Sequence, residues 1–146
     1  MKPTGTVPSP SPTAGHTLRL YKKEKLCSQI AISQLFGAES REPDNAPQIR
    51  SAIAYPLRCV WRDNPRRASD APLQFLISVP KKRLRHAVDR VLMRRRTREA
   101  FRLLRHEHQP QPGRRIDVAF VYVGNGLEPY ARVERAMARL LKTIAR

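Results

Sequence analysis

The chain has 146 residues, with 29 Lys+Arg against 12 Asp+Glu, so the formal charge is +17. That length suits one domain, and an apolar fraction of 40% suits one core. No run of about 18 apolar residues exists to span a membrane, no apolar stretch follows Lys2 as a secretory signal would require, and two cysteines make neither a disulfide framework nor a metal site.

Cys27 and Cys59 read as small buried hydrophobes of a reducing, cytoplasmic protein. The charge calls for a polyanionic partner, because self-repulsion opposes the compact state. Nucleic acid is the first candidate and an anionic membrane the second. Membrane-surface helices often expose Trp or Phe. The single Trp61 instead sits in a strand-like run, so no membrane partner is expected.

Residues 1–16 hold Pro3, Pro8, Pro10 and Pro12 among Ser, Thr and Gly. Such a segment buries too little apolar surface to offset its ordering entropy, and it reads as a flexible tail before a folded domain over 17–146. From Leu18 to Phe36 a short helix is expected, capped by Ser28 and ended by Gly37. Residues 38–52, with Pro43 and Pro47, read as a loop. Tyr55, Leu57, Cys59 and Trp61 then alternate with Arg58 and Val60 as one strand. A further short strand fits near Ser51–Ala54. Asp63-Asn64-Pro65 turns the chain, and Leu73, Phe75, Ile77 and Val79 form another strand that Pro80 ends.

A long basic segment reads as helix from Lys81 to about Arg105 and is broken by Pro110 and Pro112. Ile116 to Val123 is a strand apolar on both faces, Gly124-Asn125-Gly126 a turn, and Pro129 opens a last helix with Val133, Met137, Leu140, Leu141 and Ile144 at helical spacing. The class is α+β: a single domain with a small central sheet, in the order α-β-β-(β)-α-β-α. The strand–helix–strand unit from Leu73 to Val123 implies parallel pairing through a crossover.

On a helical projection Met93, Thr97, Ala100, Phe101 and Leu104 share one face. Arg94, Arg95, Arg98, Arg102 and Arg105 share the other, with Val91 among them. A charge run is most often a solvated face. Here the cations are arginines, only Glu99 lies nearby, and helix stability alone would interleave acids. A guanidinium is a planar fork of donors that suits phosphate oxygens. The strip therefore reads as a phosphate-binding surface.

The run SVPKK…AVDRVLMRRRTREAFR resembles the signature of the bacterial ribonuclease P protein component. Ser78, Val79, Lys81, Lys82, Ala87, Val88, Arg90, Arg94, Arg95, Arg98, Glu99, Ala100, Phe101 and Arg102 match it in order. The flanking RLYKKEKLCS, IDVAFVYV and the helix after Pro129 resemble the family's other elements, over roughly residues 18–145. Val91-Leu92 stands where the family has Asn-Arg, and Ile32 where it has the first of two helical aromatics. The resemblance implies a left-handed β-α-β crossover and two RNA surfaces. Lys81, Lys82, Arg90, Arg94, Arg95, Arg98 and Arg102 would meet the catalytic ribonuclease P RNA. A cleft with Phe36, Tyr55 and Trp61 as aromatic candidates would take the single-stranded 5′ leader of precursor tRNA. Tyr55 reads equally well as core, whereas Trp61, at a strand end, is expected partly open.

His86, His106 and His108 lack a catalytic partner set, and Asp89, Glu99 and Asp117 make no obvious pair, so no catalytic residue and no metal ligand is assigned. The resemblance agrees: the RNA subunit would hold the Mg²⁺ that drives endonucleolytic cleavage, and no obligate protein partner is implied. The alternative is a ribosomal or other structural RNA-binding protein with no role in cleavage.

Overall fold

The structure is a computed structural model that describes residues 19–27, 29–36, 49–65 and 71–146. After a single 3-10 turn at Lys22–Glu24, the order is α1 (Gln29–Phe36), β1 (Arg50–Ala54), β2 (Leu57–Asp63), β3 (Leu73–Ser78), α2 (Ala87–Leu104), β4 (Ile116–Tyr122) and α3 (Tyr130–Ala145). The class is the expected α+β, with one mixed sheet in the order β1-β2-β4-β3. β4 lies inside it, antiparallel to β2 and parallel to β3. That position explains a strand apolar on both faces.

The two faces carry different helices. Ile116, Val118, Phe120 and Tyr122 of β4 join Leu57, Cys59 and Trp61 of β2 in one core with the apolar sides of α2 and α3. Phe101 of α2 sits between Phe75 and Phe120, with ring centroids 4.4 and 5.7 Å away. Thr97 is buried in the same layer because its hydroxyl donates to the Met93 carbonyl at 2.8 Å. The other face is thinner. Ala31 and Leu35 of α1, with Leu26, cover Val60 and Ala119.

The segment before α1 guards an edge. Lys25 bridges to Phe75, and the Leu26 N–H donates to the Phe75 carbonyl at 2.8 Å, so part of the outer side of β3 is paired. Arg105 at the end of α2 locks this segment in place. Its Nε donates to Glu24 Oε1 at 2.6 Å and its Nη2 to the Arg19 carbonyl at 2.7 Å.

Several expectations are corrected. Tyr55 is not the first residue of a strand; it lies in the turn between β1 and β2. β1 at Arg50–Ala54 is the further short strand expected near Ser51–Ala54, and it takes residues 50–52 from the expected loop. Residues 81–86 are not helical. The Arg83 N–H closes a turn on the Pro80 carbonyl, Leu84 is buried as its anchor, and Arg90 Nη1 donates to the Leu84 and Arg85 carbonyls at 2.8 and 2.9 Å. These contacts satisfy carbonyls that a helix would have used. Arg105 does not face solvent; it is 4% exposed. Cys59 is buried as expected, but Cys27 is exposed. The tail over 1–16, Ser28 and Gly37 lie outside the described residues.

Burial pushes the Cys59 thiol from its ordinary 9.0 up to about 12. The unfolded chain releases that proton above about pH 9 while the folded chain keeps it. This contribution to stability is therefore intact below pH 9 and declines as the pH rises toward 12. Iodoacetamide should label Cys27 in the native protein and reach Cys59 only on unfolding. In denaturant titrations Cys59→Ala should flatten the loss of stability that the parent shows above pH 9; an unchanged pH profile would contradict this burial.

Arg105→Met should strand Glu24 in a half-buried site. Breaking one side of such a pair costs about 3 kcal/mol, a fall in Tm of roughly 6–12 °C at this size. Thermal melts check it, and a fall of less than about 2 °C would show the lock to be idle.

Candidate nucleic-acid interface

The roll of α2 decides which arginines reach solvent. Met93, Thr97, Ala100 and Phe101 face the core. Arg94, Arg95 and Arg98 are left exposed on the far side, and no carboxylate among the described residues pairs with them. Arg95, Arg98 and Arg102, with Glu99, Arg19 and Leu20, line an open groove of about 530 Å³. Arg19 went unrecognised in the sequence, because its neighbour across the groove lies more than seventy positions away. Lys81 and Lys82 are exposed in the turn before α2.

The remaining arginines of the run do other work. Arg102 is held by Glu99 through two contacts, at 3.0 and 2.6 Å. That hydrogen bond holds the Glu99 carboxyl below its ordinary value and raises the Arg102 guanidinium. Arg90 closes the 81–86 turn, as described above. Arg96 turns inward and donates to the Glu128 carbonyl. Val88 and Val91 are exposed beside the strip, which gives the surface an apolar margin where the family pattern has Asn at position 91.

The three aromatics assigned to one cleft do not share one. Trp61 is 4% exposed, in the core beneath α2 and α3, and the expectation that it is partly open is corrected. Residues of its parity on β2 all point to that side. Phe36 ends α1 on the opposite face of the sheet and is 50% exposed. Tyr55 belongs to the α3 side: its hydroxyl donates to Glu128 at 3.2 Å, and the Arg132 guanidinium lies over its ring, 5.3 Å from the centroid.

The face that carries α1 is only partly covered. The register places Ser51, Val60, Ala119 and Leu76 in one row across the strands, and α1 packs on the middle of it. The next row is Ile53, Arg58, Val121 and Ser78. Ile53 is 69% exposed and Arg58 is exposed. This row sets an exposed apolar side chain beside an exposed cation. Alternation alone could have found Arg58 and Val121, but not which face α1 would leave bare.

Among the described residues no three His, Cys, Asp or Glu side chains come together as a metal site. Asp117 is buried on β4 and accepts from Asn64 Nδ2 at 2.8 Å, an arrangement that supports the β2–β3 connection. Among the described residues no helix is long and apolar enough to cross a membrane.

Comparison with known proteins agrees with this geometry. The family model described as Ribonuclease P matches residues 48–145. The ribonuclease P protein components of two strains of Porphyromonas gingivalis are each 35% identical to this chain, over 137 and 136 residues, which is 91% of this chain and 91% of each relative. With the basic strip, the sheet order and these matches together, the chain belongs to the ribonuclease P protein component family.

Proposed function

We propose that the chain is the protein subunit of ribonuclease P, the endonuclease that removes the 5′ leader of precursor tRNA. The observation that carries this reading is the strip of Arg94, Arg95 and Arg98, exposed without carboxylate partners on a helix whose opposite side is fixed in the core. That strip, with Lys81 and Lys82, binds the backbone of the catalytic RNA and neutralises phosphates. Phe36 and the row Ile53, Arg58 and Val121 take the leader on the other face of the sheet. The chain supplies binding and charge, and the Mg²⁺ that supports cleavage is held by the RNA.

Reconstitution tests this directly. Purified protein added to a ribonuclease P RNA should restore processing of precursor tRNA at Mg²⁺ concentrations where the RNA alone is poor. No gain over the RNA alone would overturn the reading. With three phosphates neutralised, Arg94→Ala/Arg95→Ala/Arg98→Ala should reduce the log–log salt slope for binding that RNA by about 2–3. An unchanged slope in a folded variant would remove α2 from the interface.

Phe36→Ala should weaken precursor tRNA binding about tenfold, a stacking loss within the usual 1–3 kcal/mol per base, and leave mature tRNA binding unchanged. Trp61→Ala should behave differently. It opens a core cavity costing about 3–5 kcal/mol and lowers Tm without discriminating between the two substrates. Equal losses for both substrates on Phe36→Ala would place the leader elsewhere.

A further inference from the structure

A second concentration of positive charge lies on α3. The helix buries Val133, Met137, Leu140, Leu141 and Ile144. At about 100° per residue, Arg132, Arg135, Arg139, Lys142 and Arg146 fall within roughly 80° of arc on the opposite side. All five are exposed. Successive members are three or four positions apart, which is about 4.5–6 Å of axial rise, so the stripe runs for about 20 Å.

Its charge is not balanced locally. Arg132 is paired with Glu128 at 3.0 Å. Among the described residues Arg135, Arg139 and Lys142 have no carboxylate partner. Glu134, the acid within α3, accepts from the Tyr130 hydroxyl at 3.3 Å, and its position on the helix is away from the stripe. Like charges three and four residues apart weaken a helix, so the stripe is not what helix stability would select. Tyr55 and Glu128 together hold Arg132. Tyr55, Pro129, Arg132, Arg135 and Arg139 line a groove of about 450 Å³.

We propose that the α3 stripe is a second RNA-docking surface, which takes the phosphate backbone of a structured RNA segment independently of α2. The inference rests on reading the chain as an RNA-binding subunit. A regular row of cations this long fits a repeating polyanion, and guanidinium forks suit its phosphates. An anionic lipid surface would need an apolar helix side to insert, and that side of α3 is already in the core. Tyr55 acts as a positioning residue for Arg132 and not as a base platform of the leader site.

The test uses the full chain with a transcribed ribonuclease P RNA as probe. Amine acetylation read by mass spectrometry should show Lys142 protected severalfold by that RNA, alongside Lys81 and Lys82. Arg135→Gln/Arg139→Gln/Lys142→Gln should keep the parent Tm and reduce the salt slope by about 2–3. If Lys142 stays reactive and that slope is unchanged while the α2 triple variant lowers it, the second surface is refuted and the proposed function stands. If neither variant moves the slope, the RNA-binding reading fails as well. Loss of binding to phosphatidylserine vesicles with RNA binding intact would make α3 a membrane surface and overturn the proposal. Should the variant misfold, the acetylation pattern of the parent decides.

Discussion

Phe101, fully buried between Phe75 and Phe120, sets the roll of α2, and the exposed arginine surface follows from that roll. Burying a side chain of the size of Phe or Met contributes about 1.5–3 kcal/mol. Met93 and Phe101 are both fully buried, so together they outweigh the few tenths of a kcal/mol by which each close pair of arginines weakens the helix. The core therefore wins, and Arg94, Arg95 and Arg98 are presented to solvent against their own repulsion. A helix held this firmly presents its guanidinium groups without first having to order the backbone that carries them.

Arginines of one run part into two kinds. Arg90, Arg96, Arg102 and Arg105 are each tied to a carbonyl or a carboxylate of the protein. Arg94, Arg95 and Arg98 are not. Backbone carbonyls at the 81–86 turn and at Glu128 need donors, and a guanidinium can reach them while remaining charged. Such an arginine has part of its donor fork committed to the fold. The resemblance in the sequence treats Arg90 and Arg98 alike; their surroundings separate them.

Much of this was legible in the residue pattern. Alternation from Leu73 and from Ile116 marks β3 and β4, the apolar spacing of α3 marks its buried side, and the split of α2 into a core side and an arginine side is visible on a helical projection. What was not legible depends on contacts distant in sequence. Arg105 looks like one more solvent-facing cation until Glu24, 81 positions away, is brought beside it. Trp61 has the parity of Leu57 and Cys59, so alternation puts all three on one side, but it does not say that this side is the one that α2 and α3 cover. Tyr55 continues the same alternation, and only the turn at Pro56 takes it out of the strand. The basic stripe of α3 is the complement of its apolar one, and the same spacing contains both.

Placement of the few acids keeps the two basic helices from becoming one undivided field. Glu99 and Glu134 both bear on Tyr130, and Arg102 does so too. Glu128 engages Arg96, Arg132 and Tyr55. Glu99 and Glu134 therefore sit near Tyr130, where α2 and α3 meet, and α2 reaches Glu128 through its backbone carbonyl. There they offset part of the repulsion between helices that the core forces together. Arg94, Arg95 and Arg98 on one helix and Arg135, Arg139 and Lys142 on the other are exposed and have no carboxylate partner among the described residues. A chain of net charge +17 thus sets several of its acids where the helices pack and leaves the outer cations of both helices uncompensated among the described residues.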